Sequence, residues 1–107
     1  MEIKLTQNNN GQSFDIRQDD IITIALRENP TTGYRWTVDR LNEIAFILQS
    51  SDFLLPEDPK FGEGGTRIFV FRVKKVVNTH IQLKHWREWE GDSSIIDRFD
   101  VALMVEK

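Results

Sequence analysis

The chain holds two histidines, His80 and His85, and no cysteine, so nucleophiles, general bases and soft metal ligands are in short supply. Five residues apart in a strand-like stretch, the two imidazoles fall on opposite faces, which disfavours a shared metal and leaves ordinary surface or half-buried histidines. Ser13, Ser50, Ser51, Ser93 and Ser94 show no nucleophile-elbow pattern, and a triad would have to recruit a histidine with no supporting motif. The carboxylates Glu57, Asp58, Glu63, Glu88, Glu90 and Asp92 could in principle pair for glycoside hydrolysis. A small sandwich offers little cleft, however, and solvated loop charge is the commoner explanation. Gly62-Glu63-Gly64-Gly65 lacks the lysine and following helix of a phosphate cradle. No catalytic residue, metal or cofactor is expected.

The residues better suited to a task are those of a turn, Asn29-Pro30-Thr31-Thr32-Gly33. Pro30 fixes its own φ and pushes Asn29 toward extended geometry, while Gly33 supplies a position tolerant of positive φ. The two threonines are thereby held outward on a loop of few conformations, which suits display of backbone and small hydroxyls to a partner. Gly64 and Gly65 have no side chains to keep a second backbone away, so main-chain pairing is open to them, against the plainer reading of a flexible turn. Farther along, Trp86 and Trp89 flank Arg87. Trp89 sits within a turn and is the better candidate for an exposed anchor, since tryptophan beside arginine is a common interface composition.

Strands must position these loops. Ile22, Ile24 and Leu26 share one face of a run over residues 21–26 that leads straight into the turn, and Tyr34, Trp36 and Val38 alternate with polar neighbours directly after it. Ile3 and Leu5 mark a short edge strand before the Asn10-Gly11 pair, a favoured hairpin dipeptide, and Phe14 and Ile16 alternate next. Residues 41–44 are ambiguous between a helical turn and a loop, with strand resuming over 45–48. Residues 50–66 carry two prolines and three glycines and read as a long surface loop. A strand over residues 67–77 with Phe69, Phe71 and Val73 on one side, then Ile81 and Leu83, then Phe99, Val101, Leu103 and Val105 give the remaining strands. No stretch keeps a helical period, and turn signals recur about every ten residues, the spacing of an all-β sandwich. The expected fold is an immunoglobulin-like β-sandwich of seven or eight strands without a disulfide, with the loops at 29–33, 61–65 and 86–92 gathered at one end.

At 107 residues the chain is sized for one domain with a single core. Its 14 basic and 17 acidic residues leave a net charge of −3, which argues against general nucleic-acid binding. No apolar run approaches membrane-spanning length and residues 1–7 lack the apolar core of a secretory signal, so the expectation is a cytoplasmic protein or the processed form of an exported one. A monomer is expected.

Taken together, Asn29-Pro30-Thr31-Thr32-Gly33-Tyr34-x-Trp36, then Gly62-x-Gly64-Gly65, then Arg87-x-Trp89 ahead of Phe99-x-Val101 resemble the chagasin-type inhibitors of papain-like cysteine peptidases. The resemblance spans nearly the whole chain. It implies a single chagasin-like inhibitor domain over residues 1–107 that blocks such proteases tightly and reversibly, its three loops straddling the cleft. Asn29, Pro30, Thr31, Thr32 and Gly33 would cover the catalytic cysteine and histidine. Gly62, Glu63, Gly64 and Gly65 would pair along the non-primed side, and Arg87 with Trp89 would pack on the primed side. One position departs: the family's third motif usually reads Arg-Pro-Trp, and here Glu88 takes the place of the proline. Losing that ring frees the loop, at up to about 1 kcal/mol of extra ordering cost on binding. The rival reading is a non-inhibitory immunoglobulin-like module that binds carbohydrate or protein through the same loops, in which the threonine turn and glycine run would have no particular purpose.

Overall fold

The computed structural model describes residues 1–56, 64–75 and 77–105. Eight strands are formed among them: β1 (Glu2–Thr6), β2 (Ser13–Ile16), β3 (Ile21–Glu28), β4 (Arg35–Leu41), β5 (Phe46–Leu54), β6 (Gly65–Val73), β7 (Thr79–Trp86) and β8 (Asp97–Val105). They build two four-stranded sheets, ordered β1-β3-β6-β5 and β2-β8-β7-β4, which is the strand order of an immunoglobulin-like sandwich with β2 added at the edge of the second sheet. The alternating apolar residues of both sheets meet between them. Ile22, Ile24 and Leu26 of β3 and Phe69, Phe71 and Val73 of β6 face Ile81 and Leu83 of β7 and Phe99, Val101 and Leu103 of β8, all at most 2% exposed. Trp36, Leu5, Ile16 and Phe46 complete the core.

Three expectations need correction. The Asn10-Gly11 pair does turn the chain, with Gly11 at φ +81°, but no hairpin forms there. β1 pairs with β3 and β2 with β8, each in parallel, so the intervening turn carries the chain from one sheet to the other. Second, the segment read as a loop from residue 50 is strand as far as Leu54. Alternation was the wrong signal, because β5 is an edge strand that runs past the core and leaves Leu48, Gln49, Ser51, Asp52 and Leu54 exposed; a register shift between Leu48 and Ser50 breaks the period further. Third, the strand beginning near Arg67 ends at Val73. The ambiguous residues before β5 form a turn in which the Asn42 carboxamide oxygen accepts from the N–H groups of Ile44 and Ala45, a side chain standing in for a backbone partner.

Candidate functional site

The turn after β3 is organised by one side chain. The Asn29 carboxamide oxygen accepts from the Thr31 N–H at 3.1 Å and the Thr31 hydroxyl at 2.7 Å, while the Asn29 carbonyl accepts from the Thr32 hydroxyl at 2.8 Å and from the Thr32 N–H at 3.3 Å. Pro30–Thr32 thus close into a 3-10 turn, and Gly33 leaves it at φ +81°. Both threonines are exposed, as their sequence context implies. Their hydroxyl protons, however, are used inside the turn, so what faces outward is a stiff loop of methyls, lone pairs and backbone.

The third loop is fastened to the first. Arg87 Nε and Nη2 both donate to the Thr32 carbonyl, at 3.2 and 3.0 Å, its guanidinium lies 4.3 Å from the centre of the Tyr34 ring, and Nη1 reaches Glu90 at 3.4 Å. Beside this clasp the Trp89 indole rests on Gly33 so closely that a β-carbon there would stand 2.7 Å from Trp89 Cη2. Trp89 nevertheless stays 71% exposed, one face on the glycine and the other in water. The loop itself is two successive 3-10 turns, Glu88–Glu90 and Asp92–Ser94, braced by the Ser94 hydroxyl, which donates toward the Arg87 and Gly91 carbonyls and accepts from the Arg87 N–H. Lys84 of β7 holds Asp92 at 3.2 Å and lies 3.5 Å from the centre of the Trp86 ring, so the second indole belongs to the sheet and not to the loop tip.

Of the second loop, Gly62 and Glu63 lie outside the described residues. Gly64 and Gly65 are placed, and they explain their own identity differently from the sequence reading. A β-carbon on Gly64 would stand 2.8 Å from the Glu28 carbonyl oxygen, and one on Gly65 would overlap the Leu54 carbonyl oxygen and sit 2.7 Å from Phe53 Cζ. The backbone that approaches these glycines is the chain's own, because β6 starts here between β3 and β5. The first and third loops, and Gly64 and Gly65 of the second, therefore lie at one end of the sandwich, where a β-carbon on Gly64 would also stand 3.3 Å from Asn29.

Beneath them lies a polar plug that the sequence reading missed. Glu28, 3% exposed, accepts from the Trp36 N–H at 2.6 Å and from Arg67 Nη2 and Nε at 2.8 and 3.2 Å; the Trp36 indole N–H donates to the Arg27 carbonyl at 2.9 Å. The signal was present, since Glu28 continues the inward set Ile22, Ile24, Leu26, and Arg67 continues Val73, Phe71, Phe69. Two opposite charges on diagonal inward positions of neighbouring strands, Arg67 opposite Leu26 and Glu28 opposite Gly65, imply a pair. His85 completes the plug, its ring stacked 4.7 Å from that of Trp36 and edge-on to Tyr34 at 5.9 Å. Burial holds this imidazole below its ordinary pKa against the opposing pull of Glu28, the Tyr34 backbone and Asp97, and its buried Nε2 has no partner. His80 lies on the outer face, 2.7 Å from Asp100, so the two histidines are indeed apart. Among the described residues no cluster of histidine, aspartate and glutamate could hold a metal ion.

The chain has relatives of known sequence and structure. A sequence model described as the Chagasin family peptidase inhibitor I42 matches residues 15–103. Chagasin of Trypanosoma cruzi is 34% identical over 109 aligned residues, which cover 96% of this chain and 97% of that protein. The crystal structure of the cysteine protease inhibitor EhICP2 from Entamoeba histolytica superposes with a TM-score of 0.89 at 25% identity, over 98% of this chain and 96% of its own. PbICP-C, solved in complex with falcipain-2, shares the fold with a TM-score of 0.69 at 15% identity, over 98% of each chain.

Proposed function

Since the chain belongs to the chagasin family of peptidase inhibitors, we propose that the three-loop end is its inhibitory face and plugs the cleft of papain-like cysteine proteases. Such an enzyme attacks with a thiolate paired to an imidazolium and needs an extended substrate whose carbonyl enters an oxyanion hole. The first turn refuses that geometry. Its backbone is a 3-10 turn and not an extended strand, the Thr32 carbonyl is held by two Arg87 donors, and the Asn29 carbonyl is taken by Thr32. A thiolate beneath Asn29, Pro30, Thr31, Thr32 and Gly33 meets a tight turn in place of an extended peptide, with the Asn29 and Thr32 carbonyls already engaged, so the complex is reversible and the inhibitor uncut.

The observation that carries this reading is the clasp of Arg87 on Thr32 and Trp89 on Gly33, which joins two loops of distant sequence before any protease arrives. Loops already in place lose little entropy on docking, which lets an interface of ordinary size bind tightly. Gly64 and Gly65, with Gly62 and Glu63, fall to the non-primed side of the cleft, and Trp89, with one indole face bare, to the primed side. The test is titration of papain or a cathepsin-type enzyme with the purified protein, using a fluorogenic peptide. Stoichiometric, dilution-reversible loss of activity with the inhibitor's mass unchanged is expected. Undisturbed turnover in a large excess of the protein, or cleavage within residues 29–33, overturns the reading.

A further inference from the structure

Beside Trp89 a cavity of about 470 Å³ is lined by the rings of Tyr34, Phe53 and Trp89, by the Glu28–Arg67 pair, and by Glu88 and Arg35. At this end of the molecule Glu28 is neutralised by Arg67, Glu90 by Arg87 and Asp92 by Lys84. Glu88 is exposed and, among the described residues, has no ion pair or side-chain hydrogen bond; the same holds for Arg35. Two unpaired charges of opposite sign thus line one cavity with aromatic sides.

We propose that Glu88 is a specificity-determining residue, whose carboxylate selects proteases presenting a lysine or arginine on the rim that meets the third loop. This rests on the inhibitory reading above. Glu88 adjoins Trp89 in sequence, so an interface that covers the indole also strips water from this carboxylate, and a desolvated carboxylate without a partner is costly. A long cationic side chain answers both needs. Its methylenes lie along Trp89, Tyr34 and Phe53, its head pairs with Glu88, and a cation over an indole face gains further. Arg35, which lines the same cavity, repels the same head. The two charges are therefore expected to act with opposite signs on one target.

That sign is the test. Inhibition constants of the wild type, Glu88→Gln, Glu88→Lys and Arg35→Ala are measured against papain-like enzymes chosen to carry either basic or acidic residues on that rim, at low and high ionic strength. For a basic-rimmed enzyme Glu88→Gln should weaken inhibition about tenfold and Glu88→Lys more, as loss of a charge-assisted hydrogen bond implies, whereas Arg35→Ala should strengthen it, all three effects shrinking with salt. Acid-rimmed enzymes should show the reverse order for Glu88→Lys. Weaker inhibition by Arg35→Ala together with unchanged or stronger inhibition by Glu88→Gln, or the same ranking of variants on both kinds of rim, overturns the proposal while leaving the inhibitory reading intact. Failure of the wild type on every enzyme of the panel overturns that reading itself.

Discussion

Gly33→Ala probes the clasp most directly, because its two consequences separate. The new β-carbon is strained by the backbone itself: at φ +81° an alanine costs about 1–2 kcal/mol, and for a domain near this size each kcal/mol lowers the melting temperature by about 4–8 °C. It also meets Trp89 Cη2 at 2.7 Å. That clash is relieved outside the core, since the indole is 71% exposed and swings into solvent with little loss of folding energy. Binding then suffers the larger loss, as a displaced aromatic anchor is worth about 2 kcal/mol, roughly thirtyfold in the inhibition constant. The check is a cycle of wild type, Gly33→Ala, Trp89→Ala and the double variant, followed by papain inhibition and by thermal unfolding in circular dichroism. Gly33→Ala should lower the melting temperature similarly in both backgrounds but weaken inhibition only where Trp89 is present. An equal loss of inhibition in both backgrounds, or wild-type inhibition by Gly33→Ala beside a thirtyfold loss in Trp89→Ala, refutes the argument.

Glu28→Ala leaves Arg67 without its buried partner and the Trp36 N–H without an acceptor, so urea unfolding should show a loss of about 3–5 kcal/mol; a loss under 1 kcal/mol would show that the plug is not structural. Glu88→Pro should stabilise the free protein by about 0.4–1 kcal/mol. Glu88 opens a 3-10 turn and Arg87 before it is already extended at φ −98°, ψ 110°, as a residue preceding proline must be, so a lowered urea midpoint would count against the described loop. Burial keeps His85 below 6.5, so around and just under that value the unfolded chain binds a proton that the folded chain does not. Stability from this group is complete above pH 6.5 and declines as pH falls through it. Melting temperatures between pH 7.5 and 5 should fall, and fall less in His85→Phe, which keeps a ring against Trp36; parallel curves for the two proteins would exclude His85 as the source.

Much of the sandwich was legible because period-two alternation is dictated by burial of one face. The segments around Ile22, Phe69, Leu83 and Phe99 each have one face sealed in the core, and each was readable as a strand. The signal weakened where that condition lapsed. β5 runs out beyond the core and its polar half looked like loop. The Asn10-Gly11 turn was visible while the partner of the strand before it was not, since a local dipeptide says that the chain bends and nothing about which sheet it joins. At the end that carries the 29–33 and 86–92 loops, the residues stood out by type, whereas the roles of several did not. Gly65 lacks a side chain because Leu54 and Phe53 crowd it, and Arg87 serves as the fastening of a neighbouring loop through Thr32.

By itself, then, the order of residues determined the strand-forming segments, the stiffness of the turn at Pro30 and Gly33, and the presence of an indole at residue 89, since these follow from φ restriction and from neighbours a few positions away. Only the tertiary structure decided that Thr32 and Arg87, 55 residues apart, share a hydrogen bond, that Glu28 and Arg67 neutralise one another under the loops, and that Glu88 has no side-chain partner among the described residues. Those outcomes depend on which strand ends lie side by side, and strand order is set by the packing of two whole sheets, which no short stretch of sequence contains.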